Sequence, residues 1–295
     1  MPELRDDFAA LFDAVRGIRW PARGTVRGGI PGAHTSRLRG ISAEFSEYRP
    51  YRQGDDPRRV DWKLFARTDR AYIRLSNDRA ILPTMIVLDA SASMAFPVDT
   101  LGKWRFAAQV AVGLCAVARN AGDPVGIAIA GVDDPALVPP RTRRGAVQEI
   151  VRTIAETAPS GRGATASVLS VAAQSAGRLA IVSDFLGDFD EIVVTAGRLV
   201  AAGRELHAIH VVAADELDPP QRSSTVTDPE HTSIRRALTG ATRDAYLAAF
   251  RDWRERVAHD LADVGVSYSV AVVGEESTEH LIRRITAPRG VSAIA

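Results

Sequence analysis

From residue 82 onward the sequence predicts a doubly wound α/β fold with a mostly parallel sheet, and three observations predict it. Short runs are continuously apolar rather than alternating, as in strands covered on both faces. Stretches with apolar residues at helical spacing separate them. Glycines stand where those helices should stop.

In order, strands are expected at 84–88 (TMIVL), 125–130 (VGIAIA), 179–183 (LAIVS), 206–212 (LHAIHVV) and 267–273 (SYSVAVV). Helices are expected at about 103–121, 145–156, 166–176, 189–202, 241–264 and 278–286. In the first of these, Phe106, Val110, Leu114 and Val117 make a single stripe. Gly122, Gly203 and Gly265 follow three of the helices. These elements fill residues 81–295 as one domain, with residues 1–80 as an N-terminal extension. Residues 17–40 are glycine-rich and basic without periodicity, and read as an irregular arm. Residues 54–67 (GDDPRRVDWKLFAR) read as a short helix, with Asp56 as N-cap and Pro57 as the first helical residue. Val60, Trp62, Leu64 and Ala66 also alternate as in a strand. Residues 71–75 (AYIRL) read as a strand.

Composition narrows the function classes. At 295 residues, 46% hydrophobic and 25% charged, the chain is an ordinary globular one. A net charge of +1 argues against wholesale nucleic-acid binding. Ten arginines nonetheless crowd the segment from Arg16 to Arg59, either as a solvated face or as a surface for an acidic partner. No run reaches the roughly 18 apolar residues of a membrane span, and the first residues lack a signal peptide's apolar core. A cytoplasmic location is therefore expected. Cys115 is the single cysteine, which excludes an intramolecular disulfide and a cysteine zinc cage. It reads as core filler.

Doubly wound sheets bind ligands at the carboxyl ends of their strands, where strand order reverses. The polar residues expected there are Asp89-Ala-Ser91-Ala-Ser93, Gly161-Arg-Gly163-Ala-Thr165 and Ser183-Asp184. Asp89, Ser91, Ser93, Thr165 and Asp184 are all hard oxygen donors, which suits Mg²⁺, with Mn²⁺ or Ca²⁺ possible, and disfavours zinc. Two carboxylates and three hydroxyls would leave the ion under-neutralised and attractive to an acidic ligand. The plainer reading is that Asp and Ser cap free backbone N–H groups at a strand-to-helix turn; Thr165 and Asp184 weigh against it.

Enzyme signatures are missing. A phosphotransferase of the haloacid dehalogenase type would need a second Asp where Ser91 stands. No Gly-x-Ser-x-Gly elbow or phosphate-binding Gly-x-x-x-x-Gly-Lys-Ser/Thr loop is present. His207 and His210 fall on opposite faces of one strand. No catalytic residue is assigned.

The set Asp89-x-Ser91-x-Ser93, Thr165 and Asp184 resembles the metal-ion-dependent adhesion site of von Willebrand factor A domains. Residues 40–67 resemble the signature of the bacterial family known as domain of unknown function 58. The matching elements are Glu44-Phe45, Arg49-Pro-Tyr51, Gly54-Asp55-Asp56, Asp61-Trp62 and Ala66-Arg67. The run Val212-Ala-Ala-Asp215-Glu216-Leu-Asp218-Pro also fits. The resemblance covers about residues 24 to 290. It implies a von Willebrand factor A-like, Rossmann-like domain with an N-terminal extension, and a metal site made by the five residues above. It also implies a MoxR-type AAA+ ATPase as partner, for which the chain would be an adaptor in chaperone-like complex assembly. Asp61, Trp62 and Arg67 are expected as a partly buried cluster that docks the extension, with partner contact as the alternative. Two other functional readings stay open: a metal-dependent hydrolase or phosphotransferase at the same site, and a metal-free scaffold.

Overall fold

The computed structural model describes residues 3–23, 31–35, 45–53, 55, 57–76, 79–162, 164–219, 224–227 and 235–287. It divides into two compact units, Met1–Trp20 with Pro83–Ala295, and Pro21–Leu82. The first twenty residues therefore belong to the main unit, not to an extension running from 1 to 80. Helix α1 (Glu3–Ala14) is the reason: Phe8 and Leu11, followed by Val15, Ile18 and Trp20, are buried in the main core. The second unit is an insertion.

Within the second unit, β1 (Pro31–Thr35) and β2 (Phe45–Pro50) precede α2 (Trp62–Thr68), β3 (Tyr72–Ser76) and β4 (Arg79–Ala80). β1 pairs with β4 and β2 with β3, both antiparallel. The helix expected over 54–67 starts later than predicted. A single 3₁₀ turn spans Pro57–Arg59, and Asp61 rather than Asp56 caps α2, its carboxylate accepting from the N–H groups of Lys63 and Leu64, both at 3.0 Å. Asp56 lies outside the described residues. The strand-like alternation has a local cause too, because Val60 makes an antiparallel bridge to Ile73.

The main unit continues with β5 (Thr84–Asp89), α3 (Gly102–Asn120), β6 (Val125–Ala130), β7 (Leu137–Arg141), α4 (Ala146–Glu156) and α5 (Thr165–Ala172). Then come β8 (Arg178–Ser183), α6 (Phe189–Ala201), β9 (Glu205–Ala213) and the short α7 (Ala214–Leu217). A hairpin of β10 (Ser224–Thr227) and β11 (Arg235–Leu238) leads to α8 (Gly240–Asp263), β12 (Ser267–Val273) and α9 (Thr278–Thr286). The six-stranded sheet has the order β12-β9-β8-β5-β6-β7, parallel except for edge strand β7. Order reverses at β5, which has β6 on one side and β8 on the other.

β5 shows how the sheet is covered. Ile86 and Leu88 enter a core shared with α1, α3, α4 and α9, while Met85 and Val87 enter one shared with α5, α6 and α8. At the opposite end from the strand tips, Arg178 is fully buried at the start of β8. Its guanidinium donates to the Trp20 carbonyl at 3.0 Å and to Glu205 at 3.1 Å, and stacks 4.3 Å over the Trp20 ring. Its backbone N–H donates to the Pro83 carbonyl at 3.0 Å. One residue thus holds the main chain on both sides of the insertion.

Candidate metal centre

The carboxyl end of β5 carries Asp89, and the turn beyond it carries Ser91 and Ser93. Asp89, Ser91, Ser93, Thr165 and Asp184 are each no more than 4% exposed. Asp89 accepts from the Ser91 N–H at 2.9 Å through Oδ1 and from the Ser183 hydroxyl at 2.6 Å through Oδ2. Ser91 and Ser93 share a hydrogen bond, Oγ to Oγ, at 3.1 Å. The Ser93 hydroxyl helps hold the Asp184 carboxyl below its ordinary value, and Asp184 Oδ1 accepts from the Leu186 N–H at 3.2 Å. Asp89, Ser91 and Ser93 are thereby hydrogen-bonded in one cluster at the switch point of the sheet, with the Asp184 carboxylate close enough to repel Asp89. Ser91 stands at the N-cap of a 3₁₀ turn (Ala92–Ala95) but makes no side-chain cap bond, so capping does not account for it.

Thr165 opens α5, on the loop beside the cluster. That loop is laced to its neighbours: Ser160 N–H donates to the Ala90 carbonyl at 2.8 Å, and Ala92 N–H to the Gly161 carbonyl at 3.1 Å. The Ala166 N–H donates to Asp188 Oδ2 at 2.8 Å, tying the head of α5 to the loop after β8. Among the described residues, the hydrogen bonds of the cluster do not include Thr165. Gly163 lies outside the described residues.

A glycine makes the close approach possible. Gly131, with φ +78°, follows β6 so tightly that a Cβ there would sit 2.5 Å from Ser91 N and 2.8 Å from Asp89 Oδ1. Phe185 is the strained counterpart on the other loop, a buried phenylalanine at φ +56° immediately after Asp184. The Ser183 hydroxyl, accepting from the Phe185 N–H at 2.9 Å, helps hold that turn.

The two carboxylates are treated differently by their surroundings. Lys103, at the head of α3 and fully buried, places its ammonium 2.6 Å from Asp184 Oδ2 and 3.0 Å from Glu216 Oε1. Burial pulls the lysine pKa down, but attraction to these two carboxylates wins and raises it. Burial likewise opposes the charge on Asp184, and Lys103 overrides it, holding that carboxyl below its ordinary value. Asp89 has no such help: burial, then repulsion from Asp184, push its pKa up to about 6. Among the described residues no cationic side chain pairs with Asp89. Asp184 and Glu216 therefore share one ammonium, and Asp89 stands outside that pairing.

The donor set fits a hard cation. Among the described residues no group of three or more His, Cys, Asp or Glu is placed to hold a metal, so any ion here must draw on the serine and threonine hydroxyls. Sequence reasoning missed Lys103 and Gly131, placed Ser183 at a strand end without a role, and had Glu216 only within the run that resembles the family. The one available signal was that Lys103 is one of two lysines in the chain and heads a largely apolar helix. Glu216, within the run that resembles the family, also accepts from the Ala213 N–H at 2.8 Å and so fixes α7. His207 and His210 do point to opposite faces, the first to Glu205 and Trp20, the second to Tyr268 and Phe185. Cys115 is buried, with its thiol pushed up to about 12 by burial.

The upstream signature is differently disposed from the expected docking cluster. Glu44, Gly54 and Asp56 lie outside the described residues, and Phe45 lies in β2. Arg49 bonds Asp55 at 2.8 Å, and Asp55 also accepts from the Arg52 N–H at 2.8 Å. The hydrogen bond from Arg49 holds the Asp55 carboxyl below its ordinary value. Tyr51 donates its N–H to the Ala71 carbonyl at 2.9 Å. Besides capping α2, Asp61 accepts from the Tyr48 hydroxyl at 2.8 Å. Trp62 is 61% exposed, and Arg67 is exposed as well. Within its own unit Asp61 caps α2 and holds Tyr48, and because α2 contains no buried residue, Trp62 and Arg67 are more exposed than the partly buried cluster expected from the sequence.

The sequence model of the family described as "Protein of unknown function DUF58" matches residues 47–256. The chain belongs to the DUF58 family. The matched span runs from β2 into α8 and includes all five candidate ligands, Lys103, Glu216 and α2. Similar proteins include the uncharacterized proteins Rv1480 of Mycobacterium tuberculosis and Mb1516 of Mycobacterium bovis. Each is 29% identical over 268 residues, covering 88% of this chain and 84% of the relative. Among solved structures, the conserved hypothetical protein BatB of Bacteroides thetaiotaomicron aligns at 15% identity and a TM-score of 0.47, covering 69% of this chain and 96% of that one. The SpRpn10 VWA domain aligns at 11% identity and a TM-score of 0.39, covering 72% and 100%. The sheet of this DUF58 protein is the doubly wound, mostly parallel one expected from the sequence, with β7 as an antiparallel edge strand.

Proposed function

We propose that this DUF58 protein is a non-enzymatic, divalent-metal-dependent protein-binding module. The observation that carries the reading is Asp89, a buried carboxylate without a cationic partner among the described residues, set beside hydroxyls at the switch point of the sheet. Asp89, Ser91, Ser93, Thr165 and Asp184 would hold Mg²⁺, and Mn²⁺ or Ca²⁺ suit the same donors. The ion would supply a positive centre able to take a carboxylate from a partner protein. The chain's own residues prepare the site. Ser183 orients Asp89, Lys103 and Glu216 fix Asp184, and Gly131 lets the wall close on Ser91. Among the described residues, Ser91 and Ser93 bond each other, and His210 is pulled down to about 4 by burial and bonded to Tyr268 at 2.8 Å, an arrangement that favours binding over nucleophile–base chemistry.

The family resemblance makes a cytoplasmic MoxR-type AAA+ ATPase the partner of choice, with this protein as its adaptor in complex assembly. The test is a pull-down with that ATPase, with and without EDTA, beside Asp89→Ala, together with Mg²⁺ titration by calorimetry. Retention that needs both the metal and Asp89 supports the reading. Undiminished retention in EDTA and in the variant sinks the metal bridge. Phosphoester turnover abolished by Asp89→Ala would favour a hydrolase instead.

A further inference from the structure

We propose that the exposed face of α2 docks an acidic protein segment carrying apolar side chains. The helix reads Trp62-Lys63-Leu64-Phe65-Ala66-Arg67-Thr68. At about 100° per residue, Trp62, Phe65 and Ala66 share one side, Lys63 and Arg67 lie beyond Ala66, and Leu64 points away from them. Trp62 is 61% and Phe65 36% exposed; Lys63, Ala66 and Arg67 are exposed too, and Leu64 is half-buried. The two rings meet edge to face, centroids 5.9 Å apart at 82°, forming one fixed ridge.

Packing does not hold this helix, and seven residues are too few to be helical alone. Its ends hold it. Asp61 caps the start, and Asp69, in the left-handed conformation at φ 53°, closes the end through its N–H to the Phe65 carbonyl at 2.8 Å. Local hydrogen bonds therefore keep an aromatic pair in water, beside a lysine and an arginine. Desolvated aromatic anchors with adjacent arginines dominate protein interfaces.

Charge decides the partner. Residues 21–82 carry thirteen Lys and Arg against seven Asp and Glu, a net +6, whereas the whole chain is +1, leaving −5 on the rest. The surface thus suits carboxylates flanking apolar side chains. Nucleic acid suits it less well. Asp55, Asp61 and Asp69 interleave with the cations, and edge-to-face rings do not present two parallel platforms for stacked bases. The surface contains none of the candidate metal ligands, so this docking is independent of the metal-bridge reading.

Trp62 reports on its own occupancy, since Trp20 and Trp104 are buried and Trp253 is half-buried. The probes are a synthetic helix-forming peptide of glutamates and leucines, the same peptide with lysine for glutamate, and an oligodeoxythymidylate. Each is titrated into the full chain, read by tryptophan emission and by anisotropy of labelled probe. The acidic peptide is expected to shift the emission to the blue, in EDTA and with Asp89→Ala as well. Trp62→Ala should weaken it about thirtyfold without changing the melting temperature, and Lys63→Glu with Arg67→Glu should weaken it similarly. Equal affinity for Trp62→Ala, tighter binding of the lysine peptide or the oligonucleotide, or no binding by any probe would overturn the proposal. So would self-association that Trp62→Ala abolishes, which would make a second copy of the chain the occupant.

Discussion

Replacing Lys103 with methionine isolates the electrostatics of the site. Methionine keeps most of the apolar stem and removes the ammonium that sits 2.6 Å from Asp184 and 3.0 Å from Glu216. The Asp184 side chain is 3% exposed and keeps only neutral hydrogen-bond donors; Glu216, at 14%, is nearer to water. Breaking a buried ion pair from one side costs about 3–5 kcal/mol, and the partial solvation of Glu216 favours the lower half of that range. At roughly 2–4 °C per kcal/mol for a unit of this size, the melting temperature should fall by roughly 6–16 °C. Urea unfolding in EDTA, followed by circular dichroism, measures the loss. Lys103→Met with Asp184→Asn should cost less than the two single changes together, by about 1–3 kcal/mol, because neither charge is then stranded. A single-variant loss below about 1 kcal/mol, or strict additivity in the double variant, would refute the description of Lys103 as the charge partner of Asp184.

Gly131→Ala should abolish stabilisation by Mg²⁺ in a thermal-shift assay, because the new Cβ would meet Ser91 N at 2.5 Å and Asp89 Oδ1 at 2.8 Å. Asp89 tests the pH dependence. Its pKa is raised from 3.8 to about 6, so the folded state binds the proton more tightly, and ionisation above that range opposes folding. Stability of the metal-free protein from this group is greatest below the unfolded pKa and lost as pH rises through about 6. His210, depressed from 6.5 to about 4, acts in the opposite sense and loses stability as pH falls through that window. Asp89→Asn should therefore be more stable than the parent at pH 7.5 in EDTA, by about 1–3 kcal/mol, and lose stability in mild acid where the parent curve is flat. Cys115 should resist alkylation in the native state and react only on unfolding, because its thiol is buried and its pKa is near 12.

The fold was legible where burial writes a pattern. β5, β6 and β8 are covered on both faces, so they read as almost unbroken apolar runs, and the glycines ending α3, α6 and α8 adopt the expected positive φ of 90°, 82° and 83°. β7 was not legible, because Pro139 and Pro140 remove donors and only an edge strand tolerates them. In the second unit, Pro57 favours a helix start at that point, but Asp61 N–H bonds the Tyr72 carbonyl at 2.9 Å, keeping the chain on β3 for longer. The site was half legible for a similar reason. Asp89, Ser91 and Ser93 are local in sequence, whereas Lys103 meets Glu216 across 113 residues, a pairing that no periodicity encodes.

Arg178 gives the insertion a particular freedom. Since Trp20 and Pro83 are tied to the same residue, the main unit already closes at that point, and the chain between them bridges a gap that is fixed in advance. The closure entropy of such a loop grows only with the logarithm of its length. Residues 21–82 could then be shortened, enlarged or exchanged during descent with little penalty to the sheet. The seat of the candidate metal centre and the unit bearing the Trp62 ridge can accordingly evolve on separate schedules, the one constrained by a buried charge balance and the other by whatever it must touch.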